Sequence, residues 1–189
     1  MLSIREFYKI GFGPSSSHTI GPQRAAIQFL NKYPNAVSYK VYLYGSLALT
    51  GKGHKTDYIL IETFKPKSVE IIFEGETFLD YHPNALKFEA IDNLGNLLGE
   101  PWTVYSTGGG AITDLKTPKK ELYKERSFKE ISKWCKETNK ELWEYIVENE
   151  REEALDFLNE IWDTMKAAIA NGVKKTGRLP GEIGLERKT

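Results

Sequence analysis

The chain has 189 residues, 40% of them hydrophobic and 28% charged, and its 26 basic and 26 acidic side chains cancel. That balance leaves no net positive field for nucleic acid or an anionic membrane, and the length suits one packed domain with appendages or two small ones. A lone cysteine, Cys135, excludes an internal disulfide and any cysteine-built metal site supplied by this chain alone.

Ser3, Glu6, Leu2 and Phe7 predict a short N-terminal helix with a capping box and a hydrophobic staple, stopped by Gly11 and Pro14. Residues 11–25 then read Gly-Phe-Gly-Pro-Ser-Ser-Ser-His-Thr-Ile-Gly-Pro-Gln-Arg-Ala. Two Gly/Pro pairs frame a polar turn, and Pro22 suits the first position of the helix that follows. Ala25, Ala26, Phe29 and Leu30 give that helix an apolar face before Pro34 and Asn35 end it. Val37, Tyr39, Val41 and Leu43 alternate as in a strand that runs to Gly45. A short helix, a glycine turn and a new helix opening near Thr56 or Asp57 are expected next. The glycines of residues 45–57 suggest a phosphate loop, but five residues separate Gly45 from Gly51 and Gly53 follows Lys52. A Walker loop needs four residues there and Ser or Thr after its lysine, so this is not one.

Four further strands are expected, at Val69–Phe73, Thr77–Tyr81, Lys87–Ile91 and Trp102–Tyr105, with a hairpin turn at Asp92–Asn96. The sheet ends at Ser106-Thr107-Gly108-Gly109-Gly110, by itself only a tight bend. Residues 116–126 read as a solvated polar linker. Capping boxes Ser127/Glu130 and Thr138/Glu141 open two amphipathic helices. A third helix, about Glu152 to Asn171, carries Leu155, Leu158, Trp162, Met165 and Ile169 on one stripe, with Gly172 as its stop. The expected fold is α+β: a mostly antiparallel sheet with packed helices, followed by a helical tail. The expected division is 1–115, a linker over 116–126, and a tail over 127–189. With no apolar run near the roughly 18 residues of a membrane span and no signal peptide pattern, a cytoplasmic location is expected.

The three histidines, His18, His54 and His82, all fall in turns at the edges of elements, where functional residues concentrate. A turn histidine is usually a surface residue, but all three share Gly, Pro, Ser or Asn surroundings. Their spacings of 36 and 28 residues match no compact metal-ligand motif, so no metal site is assigned. Ser17 next to His18 is not expected to form a dyad, because adjacent side chains in a turn commonly diverge. An arrangement without a nucleophile fits better: hydroxyls and N–H groups at a helix start hold a carboxylate while a histidine moves a proton.

Residues 11–25 resemble the signature of the iron–sulfur-dependent L-serine dehydratases, where a Gly-Pro-Ser-Ser-Ser-His-Thr run followed by Gly-Pro opens the β domain. The resemblance continues through residues 44–57 (Tyr-Gly-Ser-Leu-Ala-Leu-Thr-Gly-Lys-Gly-His-Lys-Thr-Asp), His82-Pro83-Asn84, Tyr105–Gly110 and Leu179-Pro180-Gly181. It implies conversion of L-serine to pyruvate and ammonia. By that resemblance His18, His54 and His82 are the catalytic candidates, and Ser15, Ser16, Ser17, Thr19 and Asn84 the substrate-binding ones. The family's [4Fe–4S] cluster sits on cysteines of a catalytic α domain, which one cysteine cannot replace. The resemblance therefore implies a β part without its catalytic half, inactive alone, with an iron–sulfur α domain and L-serine as partners. Both a fragment of a longer chain and a separate subunit are compatible with this. The fold also resembles an allosteric substrate-binding domain of some phosphoglycerate dehydrogenases, so a non-catalytic anion- or serine-binding module is the alternative. The helical tail, with Trp134, Trp143 and Trp162 on apolar stripes, is a candidate device for homo-oligomer assembly.

Overall fold

The computed structural model describes residues 1–11, 14–118, 121–178 and 184–187. Phe12 and Gly13 of the serine-rich signature and the Leu179-Pro180-Gly181 segment lie outside the described residues. Two compact units divide the chain: one is Gly11–Lys120, the other joins Met1–Ile10 to Glu121–Thr189.

The first unit is a five-stranded sheet with helices, an α+β fold as expected. Its strands are β1 (Ser38–Tyr44), β2 (Ser68–Glu74), β3 (Asn84–Ile91), β4 (Trp102–Gly108) and β5 (Ala111–Thr113), in the order β2-β1-β3-β4-β5. Only the β1–β2 pairing is parallel; the crossover between them carries helices α2 (Gly45–Thr50) and α3 (Thr56–Phe64). A parallel pair needs such a crossover, whereas the antiparallel β3 and β4 are joined through residues 92–101, which open with a polar turn. There Asp92 accepts from the N–H groups of Leu94 and Asn96 at 2.9 and 2.8 Å.

Alternation in β1 buries Tyr39, Val41 and Leu43 against helix α1 (Gly21–Lys32) and α3. Phe29 and Ala25 of α1, Leu60 and Phe64 of α3, and Leu86 and Phe88 of β3 complete that core. Each large apolar side chain buried there stabilises the fold by about 1.5–3 kcal/mol relative to exposure. Intervening residues form the polar face, where Lys40 pairs with Glu70 and Lys87 with Glu89.

Thr77–Tyr81, expected as a strand, forms none. The Thr77 carbonyl accepts from the Gly45 N–H at 2.9 Å, and Phe78 lies against Gly45. This segment is spent on covering the start of α2 instead of pairing along the sheet.

In the second unit the N-terminal helix shrinks to a 3-10 turn, Ile4–Glu6. Ser3 caps it by accepting from Arg5 N–H, but Glu6 pairs with Lys9 and Phe7 is 78% exposed, so neither the capping box nor the staple closes. Helix α4 (Phe128–Thr138) starts at Ser127, whose hydroxyl accepts from Glu130 N–H as expected. Thr138 caps nothing: its hydroxyl donates back to the Trp134 carbonyl. The box that opens α5 (Leu142–Glu150) is Glu141/Glu144. Helix α6 (Glu152–Lys174) runs through Gly172, because a helical glycine costs only about 1 kcal/mol and does not by itself end a long helix. Ala154 and Ile161 are its buried residues, while Leu155, Trp162, Met165 and Ile169 stay exposed. Two-residue strands β6 (Gly177–Arg178) and β7 (Glu186–Arg187) pair after it. Among the described residues no helix is long and apolar enough to cross a membrane.

Candidate active site

The register of the sheet decides which polar motifs meet. Tyr44 at the end of β1 faces Ala85 at the start of β3, and Ala85 faces Tyr105 near the end of β4. Gly45–Thr50, His82–Asn84 and Ser106–Gly110 are thereby gathered at one end of the sheet. The serine-rich turn comes to the same end because Ser106 on β4 donates to the Ser17 carbonyl at 2.8 Å. Two glycines permit the close packing. A side chain at Gly21 would run into Ser106 Oγ. Gly45 has φ +50°, and a Cβ there would sit 2.7 Å from the Pro83 carbonyl. The triple glycine is tied down as well, Arg24 donating to the Gly110 carbonyl at 2.8 Å.

Ser16–Ile20 is a single π turn that leads into α1. Ile20 N–H reaches back to the Ser15 carbonyl and Gly21 N–H to that of Ser16, a wider winding than an α-helix, frequent at functional sites. The wide winding has a local consequence. Successive side chains rotate through a smaller angle, and Ser17 Oγ comes within 2.9 Å of His18 Nδ1. The expected divergence of these two neighbours is therefore wrong. Thr19, 1% exposed, donates to the Ser15 carbonyl and accepts from Ser15 N–H. Ser15 Oγ accepts from His18 N–H and lies 3.4 Å from Ser17 Oγ. The N–H groups of His18, Thr19 and Ile20 are thus spent inside the turn, and side-chain hydroxyls carry what polar surface it offers.

His18 is held from three sides. Thr56, at the start of α3, donates to its carbonyl at 2.7 Å. Thr50 Oγ1 and Ser46 Oγ of α2 lie 2.9 and 3.3 Å from its Nε2. The His54 ring sits 4.6 Å away, centroid to centroid, with its own Nδ1 on the Thr50 carbonyl. Burial first, and the neighbouring His54 second, push the His18 pKa below the ordinary histidine value, against a smaller opposing effect of the Ser46 backbone. A neutral imidazole at physiological pH follows.

Asn84 is the odd member. It is 9% exposed and its Nδ2 reaches the Ser106 carbonyl at 3.5 Å, while its buried Oδ1 has no hydrogen-bond partner among the described residues. A buried amide oxygen left unpaired costs about 1–3 kcal/mol. His82 accepts from Asn84 N–H through Nδ1 at 3.1 Å. Among the described residues it makes no hydrogen bond or ring contact with His18 or His54. Ser15, Ser17, His18, Thr19 and His54 form one contact network, Asn84 joins it through Ser106, and His82 borders it through Asn84; Ser16 is exposed.

With this geometry in place, comparison with known proteins is informative. Residues 3–69 match the family model described as serine dehydratase beta chain. The whole chain is 30% identical to an L-serine dehydratase of Haemophilus influenzae. What the chain is similar to is the β part of an L-serine dehydratase. L-serine dehydratase 2 of Escherichia coli is 29% identical over the whole chain, and an L-serine dehydratase of Streptomyces coelicolor is 28% identical over 99% of it. The chain spans about half the length of these curated relatives, 52–53%.

Ser46, Thr50, Thr56 and Ser106 were not singled out as site residues in the sequence. Ser46 and Thr50 lie at i and i+4, one face of α2, which was a readable signal. Thr56 and Ser106 gave none beyond lying within the resembling segments.

Proposed function

We propose that this chain is the β part of an enzyme that converts L-serine to pyruvate and ammonia, and that it lines and closes the active site of a catalytic partner. The carrying observation is a buried His18 hydrogen-bonded to Ser17, its pKa lowered by that burial, beside an Asn84 oxygen that is unpaired among the described residues. A neutral imidazole is the form that accepts a proton, and a lowered pKa keeps it in that form at working pH. The unpaired oxygen suits the ammonium group of an amino acid, and the hydroxyls of Ser15, Ser16 and Ser17 suit its carboxylate, while Thr19, whose hydroxyl is spent on the Ser15 backbone, shapes the turn that presents them. His54, packed on His18, and His82, on Asn84, stand as further proton carriers at the rim.

The resemblance also implies a [4Fe–4S] cluster, which cysteine thiolates hold. This chain's one cysteine is half-buried in α4, and among the described residues no three His, Cys, Asp or Glu side chains are placed to hold a metal ion. Its residues do not fit the cluster, which we assign to the partner.

The test combines the chain with a cysteine-bearing catalytic partner under anaerobic conditions, with iron and sulfide, and measures pyruvate from L-serine. Pyruvate is expected from the combination and none from the chain alone. His18→Ala lowers turnover by at least about 100-fold, a usual acid–base contribution. Chelator-resistant pyruvate formation by the chain alone, or near-normal turnover of His18→Ala, would overturn the reading. Serine binding to the isolated chain that is lost in Ser17→Ala, with no turnover in the combination, would mark a regulatory binding module instead.

A further inference from the structure

The contacts around His18 specify more than its location; they specify which ring nitrogen bears the hydrogen. Thr50 Oγ1 lies 2.8 Å from the Ser46 carbonyl, one helical turn back, and 2.9 Å from His18 Nε2. A threonine hydroxyl has one hydrogen and two lone pairs. The Ser46 carbonyl can only accept, so it takes that hydrogen. Toward His18 the hydroxyl is left with a lone pair, and the hydrogen of that second bond must come from Nε2. In a neutral imidazole the other nitrogen, Nδ1, is then a bare lone pair. It lies 2.9 Å from Ser17 Oγ, whose hydroxyl donates to it.

We propose that Thr50 is a positioning residue that locks neutral His18 as the Nε2–H tautomer, so that its one basic lone pair, on Nδ1, is aimed at the Ser17 hydroxyl. Ser46 Oγ, 3.3 Å from the same Nε2, is the secondary support. Burial and His54 keep the ring uncharged, the condition under which the tautomer matters. His54 is the titratable group packed on the ring, and its own Nδ1 is engaged on the Thr50 carbonyl. A proton taken up by His18 arrives at Nδ1, from Ser17 or from a group that displaces it, while the Nε2–H bond to Thr50 stays intact. The Nε2 end is closed to substrate, which assigns the working face of His18 to the side of the serine-rich turn.

The inference concerns the site of the proposed function, but its test needs neither substrate nor partner. The full chain is prepared with 15N-labelled histidine, and the ring nitrogens are read by long-range proton–nitrogen correlation at mildly alkaline pH. His18 is assigned by the signals lost in His18→Gln. The wild-type chain is expected to show an unprotonated Nδ1 and a protonated Nε2. In Thr50→Val the ratio of Nε2–H to Nδ1–H falls about fivefold, the worth of one neutral hydrogen bond; Thr50→Ser restores it. Thr50 lies on the exposed side of α2, so the valine variant leaves the core untouched. A wild-type His18 protonated at Nδ1, or a Thr50→Val ratio equal to wild type, overturns the proposal. Absence of pyruvate from the combined enzyme would sink the dehydratase reading and leave this measurement intact.

Discussion

Each unit of the molecule buries one polar cluster, and the two are built in opposite ways. In the helical unit Glu150, its side chain fully buried, accepts from Ser3 Oγ at 2.6 Å, from Ile4 N–H at 2.7 Å and from the Tyr123 hydroxyl at 2.5 Å, with Arg5 3.7 Å away. Burial alone would raise the Glu150 pKa, but those donors and the Arg5 charge outweigh it and bring it below the ordinary carboxylate value. Burial and the same carboxylate push the Tyr123 hydroxyl up. Both carboxylate oxygens of Glu150 are engaged within its own unit. At the sheet end of the other unit burial lowers the His18 pKa, the Ser15 and Ser17 hydroxyls lie a long 3.4 Å apart, and Asn84 Oδ1 has no partner among the described residues. A cluster completed by its own chain holds the fold; the other leaves one acceptor over, the feature on which the binding role proposed for it rests. Burial and polarity are common to both, so neither property alone identifies a site.

The sharpest way to break this contrast is to remove the completed cluster. Glu150→Ala leaves three buried or half-buried donors and the Arg5 charge without their acceptor, and a loss of about 3 kcal/mol in the helical unit is expected. Trp134, Trp143 and Trp162 all lie in that unit and Trp102 in the other, so tryptophan emission during chemical denaturation, measured in a Trp102→Phe background, reports it. A midpoint unchanged from wild type would mean that the N-terminal turn is not held by Glu150. Asn84→Ala should behave in the opposite sense. Deleting an oxygen that bonds nothing, with one long 3.5 Å contact from its nitrogen, costs under about 1 kcal/mol of stability. In the combined enzyme the same variant should lose about tenfold or more in kcat/KM for L-serine, as expected for a hydrogen bond to a charged group. If Asn84→Ala destabilised the chain as much as Glu150→Ala, the amide would be structural and the contrast would collapse.

The two clusters also differ in how far they could be read from the sequence. The serine-rich turn is local, and its Gly/Pro frame, hydroxyls and Pro22 all point to a polar turn at a helix start before any contact is known. The alternation of Tyr39, Val41 and Leu43 likewise placed β1 on the core. The Glu150 cluster could not be seen, because its donors Ser3 and Ile4 lie 147 and 146 residues away and Glu150 reads as one more acid on a charged helix. The same distance effect hid Ser106, whose hydroxyl meets Ser17 across 89 residues. Thr77–Tyr81 misled for a different reason. Its β-prone residues Phe78 and Tyr81 are 58% and 52% exposed, covering the start of α2 and packing on Tyr105, a use that local propensity cannot distinguish from pairing. The Ser17–His18 contact was misjudged because a π turn has no sequence signature of its own, and its wider winding brings neighbours together.

The smallest expected effect is the dependence of stability on pH, and it separates the clusters by the sign and position of their proton linkage. The folded chain holds His18 below its ordinary value of 6.5, so the unfolded chain binds that proton more tightly. As pH falls through 6.5 the unfolded state gains a proton that the folded state refuses, and the sheet unit loses stability from that point down to the folded pKa of His18. Glu150 has the folded pKa depressed below 4.5, so its contribution is present above that value and is lost only as pH falls through the folded pKa. An acid titration should therefore weaken the sheet unit first and the helical unit later. Trp102 is the tryptophan of the sheet unit, and hydrogen exchange of β1 and β3 amides reports that unit separately from the helices. His18→Gln, which has no proton to gain, should abolish the early loss and leave the later one in place. If the early loss persisted in His18→Gln, another group would titrate in the sheet unit; if it were absent from the wild type, His18 would not be held neutral by the fold.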